Sequence, residues 1–309
     1  MERTGRLNRG DGVELAWALL AGRGPTLVFL PGFASDMTGS KAIALRDWCA
    51  AEGRALLRLD YSGHGASGGA FTTGTIGAWA EDARRTIAAV TGGPLVLVGS
   101  SMGGWIALLT ALAMPERVVG LVGIAAAPDF TEDLMWAAMA PRERDKLLRD
   151  GVLYMPSQYG DPTPITSALI EEGRRHLLLG AEIALDCPAR LLHGQQDPDV
   201  PWERALRLAA RLRGADVQVV LVKDADHRLS RPQDLSLLTR TVAGLFASLP
   251  RSDYSSGTAI GTWSGSAALD QPPPSASISA TLATRRLCCT DRAACRSASN
   301  RVCSVITLV

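Results

Sequence analysis

Leu95-Val-Leu-Val98, a short apolar run, leads through Gly99-Ser-Ser101-Met-Gly103 into a second apolar stretch from Gly104 to Ala113. The first run has the length and β-branching of a strand buried on both faces, and the second has the length of a helix. Only a turn of a few residues separates them. A chain that passes so abruptly from strand to helix must hold the central residue, Ser101, in a strained conformation, and side chains at 99 and 103 would clash there. The segment therefore demands a sheet whose strand ends feed directly into covering helices. It also lifts the Ser101 hydroxyl clear of the sheet, beside the positive end of the following helix.

The chain from about Asp11 to Pro250 repeats this alternation. Strands are expected at Thr26 to Leu30, Ala55 to Asp60, Leu95 to Gly99, Val118 to Ala125, Ala189 to His193 and Val217 to Val222. Helices are expected at Lys41 to Glu52, Ile76 to Val90, Gly104 to Ala113 and Trp202 to Arg213. This is the rhythm of βαβ units and defines an α/β class, a mostly parallel central sheet flanked by helices. One domain over residues 1–250 of the 309 accommodates it, with ample length for a core. Between Pro128 and Pro188 the rhythm breaks into charged helical pieces, Pro141 to Asp150 and Ser167 to Leu179, joined by a loop from Pro156 to Pro164, and no strand is expected. An insertion between two central strands is placed to form a small helical cap over a pocket.

Residues 251–309 are rich in Ser, Ala, Thr, Gly and Arg, contain Pro272-Pro-Pro274 and lack apolar periodicity, so they read as a low-complexity, disordered tail. Its abrupt onset and its cysteines at 288, 289, 295 and 303 are also what readthrough or a shifted reading frame at the gene's end would produce. That cysteine spacing does not suit a zinc site, and the body holds only Cys49 and Cys187, in keeping with a reducing compartment. A formal net charge of +1 with both signs dispersed disfavours nucleic acid as a partner. No apolar run approaches the roughly 20 residues of a membrane span. Glu2, Asp11 and Glu14 interrupt the basic N-terminal stretch, which matches neither a secretory signal nor a mitochondrial presequence. The expectation is a cytoplasmic protein of open oligomeric state.

Gly-x-Ser-x-Gly between a strand and a helix is the nucleophile elbow of the α/β-hydrolase fold. A serine hydroxyl needs a general base, and the chain offers four histidines. His176 lies beside Arg174 and Arg175 on what reads as a solvated cap helix. His64 sits in the Gly-rich turn Asp60 to Ser67, at a rim with no carboxylate to hold it, and His193 ends an apolar strand in a structural position. His227 follows the last strand in a polar loop and alone satisfies the chain order Ser, Asp, His. For the orienting acid, Leu191-Leu-His-Gly194-Gln-Gln-Asp197-Pro-Asp199 supplies two carboxylates. Asp197 lies at the depth of the turn, whereas Asp199, the alternative, suits setting up the helix that begins near Trp202. The oxyanion donors expected are the backbone amides of Met102 and of Phe33, the latter in Pro31-Gly32-Phe33 after an early strand. No metal or organic cofactor is required by this set.

Phe29-Leu-Pro-Gly-Phe33, Leu59-Asp-Tyr-Ser-Gly63, Val98 to Trp105, Tyr154-Met-Pro-Ser157, Leu191 to Gly194 with Asp197 and Val200-Pro-Trp202, and Asp226-His-Arg228 together resemble a family of serine hydrolases. These are the mitochondrial palmitoyl-protein thioesterases that are also acyl-glucuronide esterases, and this chain looks like a bacterial relative. The resemblance runs from about residue 13 to residue 249, cap included, and leaves out the tail. It implies Ser101, Asp197 and His227 as the triad and hydrolysis of small acyl esters or thioesters, or of an S-acylated protein. His64 departs from the family's turn, and the family's targeting sequence has no counterpart here, so the compartment does not carry over. Trp136, Met139, Tyr154 and Met155 are expected to build an acyl pocket. The same triad would serve a peptidase, a lactonase or a carbon–carbon hydrolase, and a non-catalytic relative would use the pocket to bind a small ligand.

Overall fold

The structure, a computed structural model, describes residues 1–157, 160–250 and 305–308. Its strands are β1 (Glu2–Asn8), β2 (Glu14–Leu20), β3 (Arg23–Leu30), β4 (Arg54–Leu59), β5 (Leu95–Ser100), β6 (Val118–Ile124), β7 (Val152–Ser157), β8 (Gly160–Thr166), β9 (Ala189–Gly194), β10 (Val217–Val222) and β11 (Val305–Leu308). The helices are α1 (Ser40–Glu52), α2 (Ile76–Val90), α3 (Met102–Ala113), α4 (Pro141–Asp150), α5 (Ser167–Gly173), α6 (Glu203–Arg211) and α7 (Pro232–Ser248). Among the described residues, nine strands form one sheet in the order β1-β2-β4-β3-β5-β6-β9-β10-β11. Only β1 against β2 and β2 against β4 run antiparallel. The remaining pairings are parallel.

The continuous apolar runs arise because both faces of the sheet are covered. Along β5, Leu95 and Leu97 pack with α2, α3 and α6, while Val96 and Val98 pack with α1 and α7. Val28 and Leu30 against Leu27 and Phe29 divide β3 in the same way, as the two-residue period of a strand requires. Because β3, β5, β9 and β10 are parallel, the loops that follow them emerge at one edge of the sheet. Those loops carry Phe33, Ser101, Asp197 and His227.

The six expected body strands and four expected helices are all present; Val217–Val222 and Ile76–Val90 have the expected bounds and the others differ by at most three residues at an end. The hairpin of β1 and β2 was not expected. β1 is a charged edge strand with no fully buried position, so it lacks the apolar signal that marks the central strands.

The cap requires a correction. The stretch read as a loop belongs to an antiparallel hairpin of β7 and β8, with Tyr154 opposite Pro164 and Met155 opposite Thr163. Its prolines disguise it, but a two-stranded ribbon has outer edges where a missing N–H breaks no ladder. The hairpin and α4 enclose a small core of Met139, Leu147, Leu153, Ile165 and Ile170. Asp129, buried and with φ of 62°, accepts hydrogen bonds from the amides of Leu178 and Leu179, both at 2.8 Å, and so clamps the two ends of the insertion together. Arg204 reinforces the clamp by donating to the Pro128 carbonyl at 2.7 Å.

Of the tail expected to be disordered, Val305–Leu308 is described, and its backbone pairs in parallel with β10 from Gln218 to Leu221. The rest of that expectation falls on residues outside those described.

Candidate active site

Ser101 has φ of 55° and ψ of −119°, a conformation that a residue with a Cβ adopts only when its surroundings impose it. Three contacts do so. The Ser101 amide donates to the Ile124 carbonyl at 2.9 Å, and the Ser101 carbonyl accepts from Gly104 at 2.9 Å and from Ala127 at 3.1 Å. The elbow is as crowded as the sequence suggested: a Cβ on Gly99 would run into the Gly103 carbonyl, and one on Gly103 into the carbonyls of Leu30 and Pro31.

The structure brings Ser101, His227 and Asp197 into one hydrogen-bonded row. Ser101 Oγ lies 3.1 Å from His227 Nε2, and His227 Nδ1 lies 2.7 Å from Asp197 Oδ2. Asp197 has no exposed side-chain surface, and its Oδ1 accepts from the amides of Asp199 at 2.9 Å and Val200 at 2.8 Å. Burial alone would push this carboxyl up, but the bonds from His193 and His227, with the nearby His227 charge, hold it well below the usual carboxylate range. Asp199, the alternative acid, is exposed and does not make the bond to His227 Nδ1. The loop that presents His227 is tightened by Asp226, which accepts from Arg228 and Leu229 at 3.1 and 3.2 Å, and by Lys41 Nζ, which donates to the Arg228 carbonyl at 2.5 Å.

Met102 is the first residue of α3, so its amide is among the helix donors that have no partner within the helix. The Pro31-Gly32-Phe33 loop passes close by, since a Cβ on Gly32 would stand 3.4 Å from Ser101 Cβ. Three residues of the neighbouring turn brace this loop. Tyr61 Oη donates to the Pro31 carbonyl at 3.2 Å, His64 Nε2 accepts from Ala34 at 3.3 Å, and Asp60 accepts from Met37 at 2.7 Å. Ala34 itself has φ of 53°, so the brace holds a strained turn.

The other histidines depart from their expected surroundings. His64 is not at a rim: it is buried, edge-on to Tyr61 and Trp79, and burial pushes its imidazole below the ordinary range. His176 is not simply solvated, because it bonds at 2.5 Å to Glu172, which also accepts from the amide of Gly77 in α2 at 3.0 Å. His193 is buried as expected, yet its Nε2 lies 3.1 Å from Asp197 Oδ2. The sign in the sequence was the spacing: His193 precedes Asp197 by four residues across a strand end.

A cavity of about 920 Å³ opens over Ser101 and His227. Phe33, Phe130, Leu134, Met135, Met139 and Met155 give it an apolar wall, and Asp36, Ser40, Lys41, Asp199, Arg228 and Ser230 a polar one. Of the four expected pocket residues, Met139 and Met155 line it and Trp136 and Tyr154 do not. Tyr154 and Met155 are consecutive on β7 and so point to opposite faces, which leaves Tyr154 62% exposed. The Trp136 ring is flanked by Arg144 and Arg174, at 5.0 and 4.9 Å. Asp197, Asp199 and His227 each offer a ligand atom within 4.8 Å of one another. Both His227 nitrogens are already engaged by Asp197 and Ser101, so this trio does not form a ready metal site.

A strained serine on a strand-to-helix elbow, hydrogen-bonded to a histidine that is bonded in turn to an aspartate, both from later loops of a mostly parallel sheet, is the arrangement of the α/β hydrolases. The model of the alpha/beta hydrolase family matches residues 27–236, and the chain belongs to that family and is an enzyme of it. Among curated relatives, the human protein named palmitoyl-protein thioesterase ABHD10, mitochondrial (Homo sapiens), is 39% identical over 245 residues, 79% of this chain and 80% of that protein. Two solved structures are also similar. A putative hydrolase from Agrobacterium vitis S4 is 40% identical with a TM-score of 0.76, over 79% of this chain and 99% of that one. Alpha/beta hydrolase domain-containing protein 10 from mouse is 38% identical with a TM-score of 0.74, over 79% and 98%. Among the described residues, no helix is long and apolar enough to cross a membrane.

Proposed function

We propose that the protein hydrolyses acyl esters or thioesters by way of an acyl-enzyme on Ser101. The observation that carries this reading is the unbroken row Ser101 Oγ, His227, Asp197 at 3.1 and 2.7 Å, open to a cavity with one apolar wall. Ser101 Oγ attacks the acyl carbonyl as His227 Nε2 takes its proton, and Asp197 fixes the ring and stabilises the imidazolium. The amides of Met102 and Phe33 hold the oxyanion. His227 returns the proton to the departing alcohol or thiol; it then draws a proton from water, whose oxygen attacks the acyl carbon, and passes that proton to Ser101 Oγ as the acyl–Oγ bond breaks and the acid leaves. No step requires a metal or organic cofactor.

The acyl chain lies against the cap, where Met135, Met139 and Met155 supply adaptable apolar surface. A cavity of about 920 Å³ is at the upper end of the ~300–1,000 Å³ common for ligand pockets, room enough for a long chain. A small acyl ester or thioester, or an S-acylated protein, is the substrate class this site and the thioesterase relatives favour. The test is a panel of p-nitrophenyl esters and acyl thioesters of increasing length, on the wild type and on Ser101→Ala, together with fluorophosphonate labelling. Labelling at Ser101, loss of turnover in Ser101→Ala and rising kcat/KM with chain length are expected. Equal turnover by the two proteins overturns the assignment.

A further inference from the structure

Asp197 is served by two imidazoles, and only one belongs to the triad proposed above. Its Oδ2 lies 2.7 Å from His227 Nδ1 and 3.1 Å from His193 Nε2. His193 Nε2 is also 3.0 Å from the Val200 carbonyl. Both atoms within reach of that nitrogen can only accept, so Nε2 carries the proton. His193 Nδ1 is buried without a partner, and the residue has no solvent exposure. A proton on Nδ1 would be an orphaned buried donor, a costly arrangement. His193 thus offers a single proton, shared between the carboxylate and the Val200 carbonyl.

We propose that His193 is a positioning residue that sets the proton affinity of His227 through Asp197, an inference that rests on the triad reading. The carboxylate has four donors: two amides on Oδ1 and two imidazoles on Oδ2, which fill its accepting capacity. The amides come from the carboxylate's own loop, whereas His193 stands on β9, inside the sheet. It ties the aspartate to a rigid element and draws on the charge that Oδ2 presents to His227. When His227 takes the serine proton, the His193 proton leans to the Val200 carbonyl and leaves Oδ2 to the imidazolium; when His227 is neutral, it leans back.

Without His193, Oδ2 would serve His227 alone, and the general base would hold its proton more tightly. Among the described residues, the other charged groups around His227 include Asp199, whose ligand atom is within 4.8 Å, Asp226 and Arg228 beside it in the chain, Lys41 on the Arg228 carbonyl, and Asp36 on the wall of the same cavity. They are untouched by a change at 193, so a shift in titration isolates His193.

The full-length enzyme tests this with His193→Phe, which fills the space without a donor, and His193→Gln, whose amide restores an N–H at similar reach. The pH dependence of kcat/KM on p-nitrophenyl butyrate is measured with active sites counted by fluorophosphonate titration. His193→Phe is expected to move the acid limb up by about 0.5–1 pH unit and to lower kcat roughly tenfold, as the loss of one charge-assisted hydrogen bond implies. His193→Gln should return both toward wild type. An unmoved limb in His193→Phe, even with reduced stability, reduces His193 to packing and overturns the proposal. Should that variant not fold, nitrogen-15 NMR of the wild type decides, with the His193 Nε2–H resonance expected to follow the titration of His227. A resonance that ignores that titration overturns the proposal equally. Failure of the triad reading looks different, because Ser101 would then take no fluorophosphonate.

Discussion

Gly103→Ala is a one-carbon change whose consequences reach the Pro31-Gly32-Phe33 loop, the proposed oxyanion loop. A Cβ at 103 would stand 2.5 Å from the Pro31 carbonyl oxygen and closer still to that of Leu30. Real Cβ contacts essentially never fall under 3.0 Å, so Pro31 must withdraw by about half an ångström and Leu30 by more. Neither atom can rotate away, because both are backbone. Overpacking of this kind costs about 1–3 kcal/mol, offset in part by the roughly 1 kcal/mol that alanine gains over glycine in a helix. The net loss of stability should be at most about 2 kcal/mol. The effect on rate should be larger, because the displaced residues lead directly into Gly32 and Phe33. Misplacing one oxyanion donor lowers kcat by about 10²–10³-fold. Urea denaturation and site-titrated kcat on a p-nitrophenyl ester measure the two effects. Gly244→Ala is the control: it lies in α7 with nothing within 4 Å of its Cβ, and it should gain up to about 1 kcal/mol with kcat unchanged. If Gly103→Ala keeps kcat within twofold of wild type, α3 does not fix the proposed oxyanion loop by close approach.

Asp197→Asn should lower kcat by about 10⁴-fold, whereas Asp199→Asn should cost little because its contribution to the carboxylate is a backbone amide that the substitution keeps; equal losses in steady-state kinetics would remove the distinction. His64 titrates at lower pH in the fold than in the unfolded chain, burial outweighing the Ser62 carbonyl and the Asp82 charge. Its contribution to stability is complete above an unfolded value of about 6.5 and is lost as pH falls through the depressed folded value. Unfolding free energy followed from pH 8 to pH 5 should fall less steeply in His64→Gln than in wild type, and identical slopes would count against this assignment. Burial pushes the Cys49 thiol up to about 12 and Cys187 up to about 11. Peptide mapping after iodoacetamide at pH 8 should find both unmodified in the native enzyme and alkylated in urea; Cys49 labelled while the enzyme is fully active would contradict the burial.

How far the sequence could be read follows from where each element buries its surface. The central strands were legible because helices on both faces make them continuous apolar runs, as in Leu95 to Val98 of β5. β1 and the cap hairpin were not, since one is a charged edge and the other carries prolines, which strands accept only at open edges or bulges. Ser101 stood out because its elbow admits so few residue types. The two carboxylates at 197 and 199 were harder to rank, because spacing cannot say which of them turns inward. The fold answers it: Asp197 takes the amides of Asp199 and Val200 on one oxygen, and that ring of local bonds points the other oxygen at the histidines. His64 and His193 were least legible, because eliminating candidates for one general base treats every other histidine as a bystander. Here burial gives each a single usable protonation pattern, one accepting from the Ala34 amide and one donating to Asp197. For His193 that pattern has a readable cause. A strand end followed by Gly194 and a tight turn folds the side chain at 193 back onto the one four residues later, so in this chain the spacing His-Gly-x-x-Asp carries both the proposed acid and the histidine bonded to it.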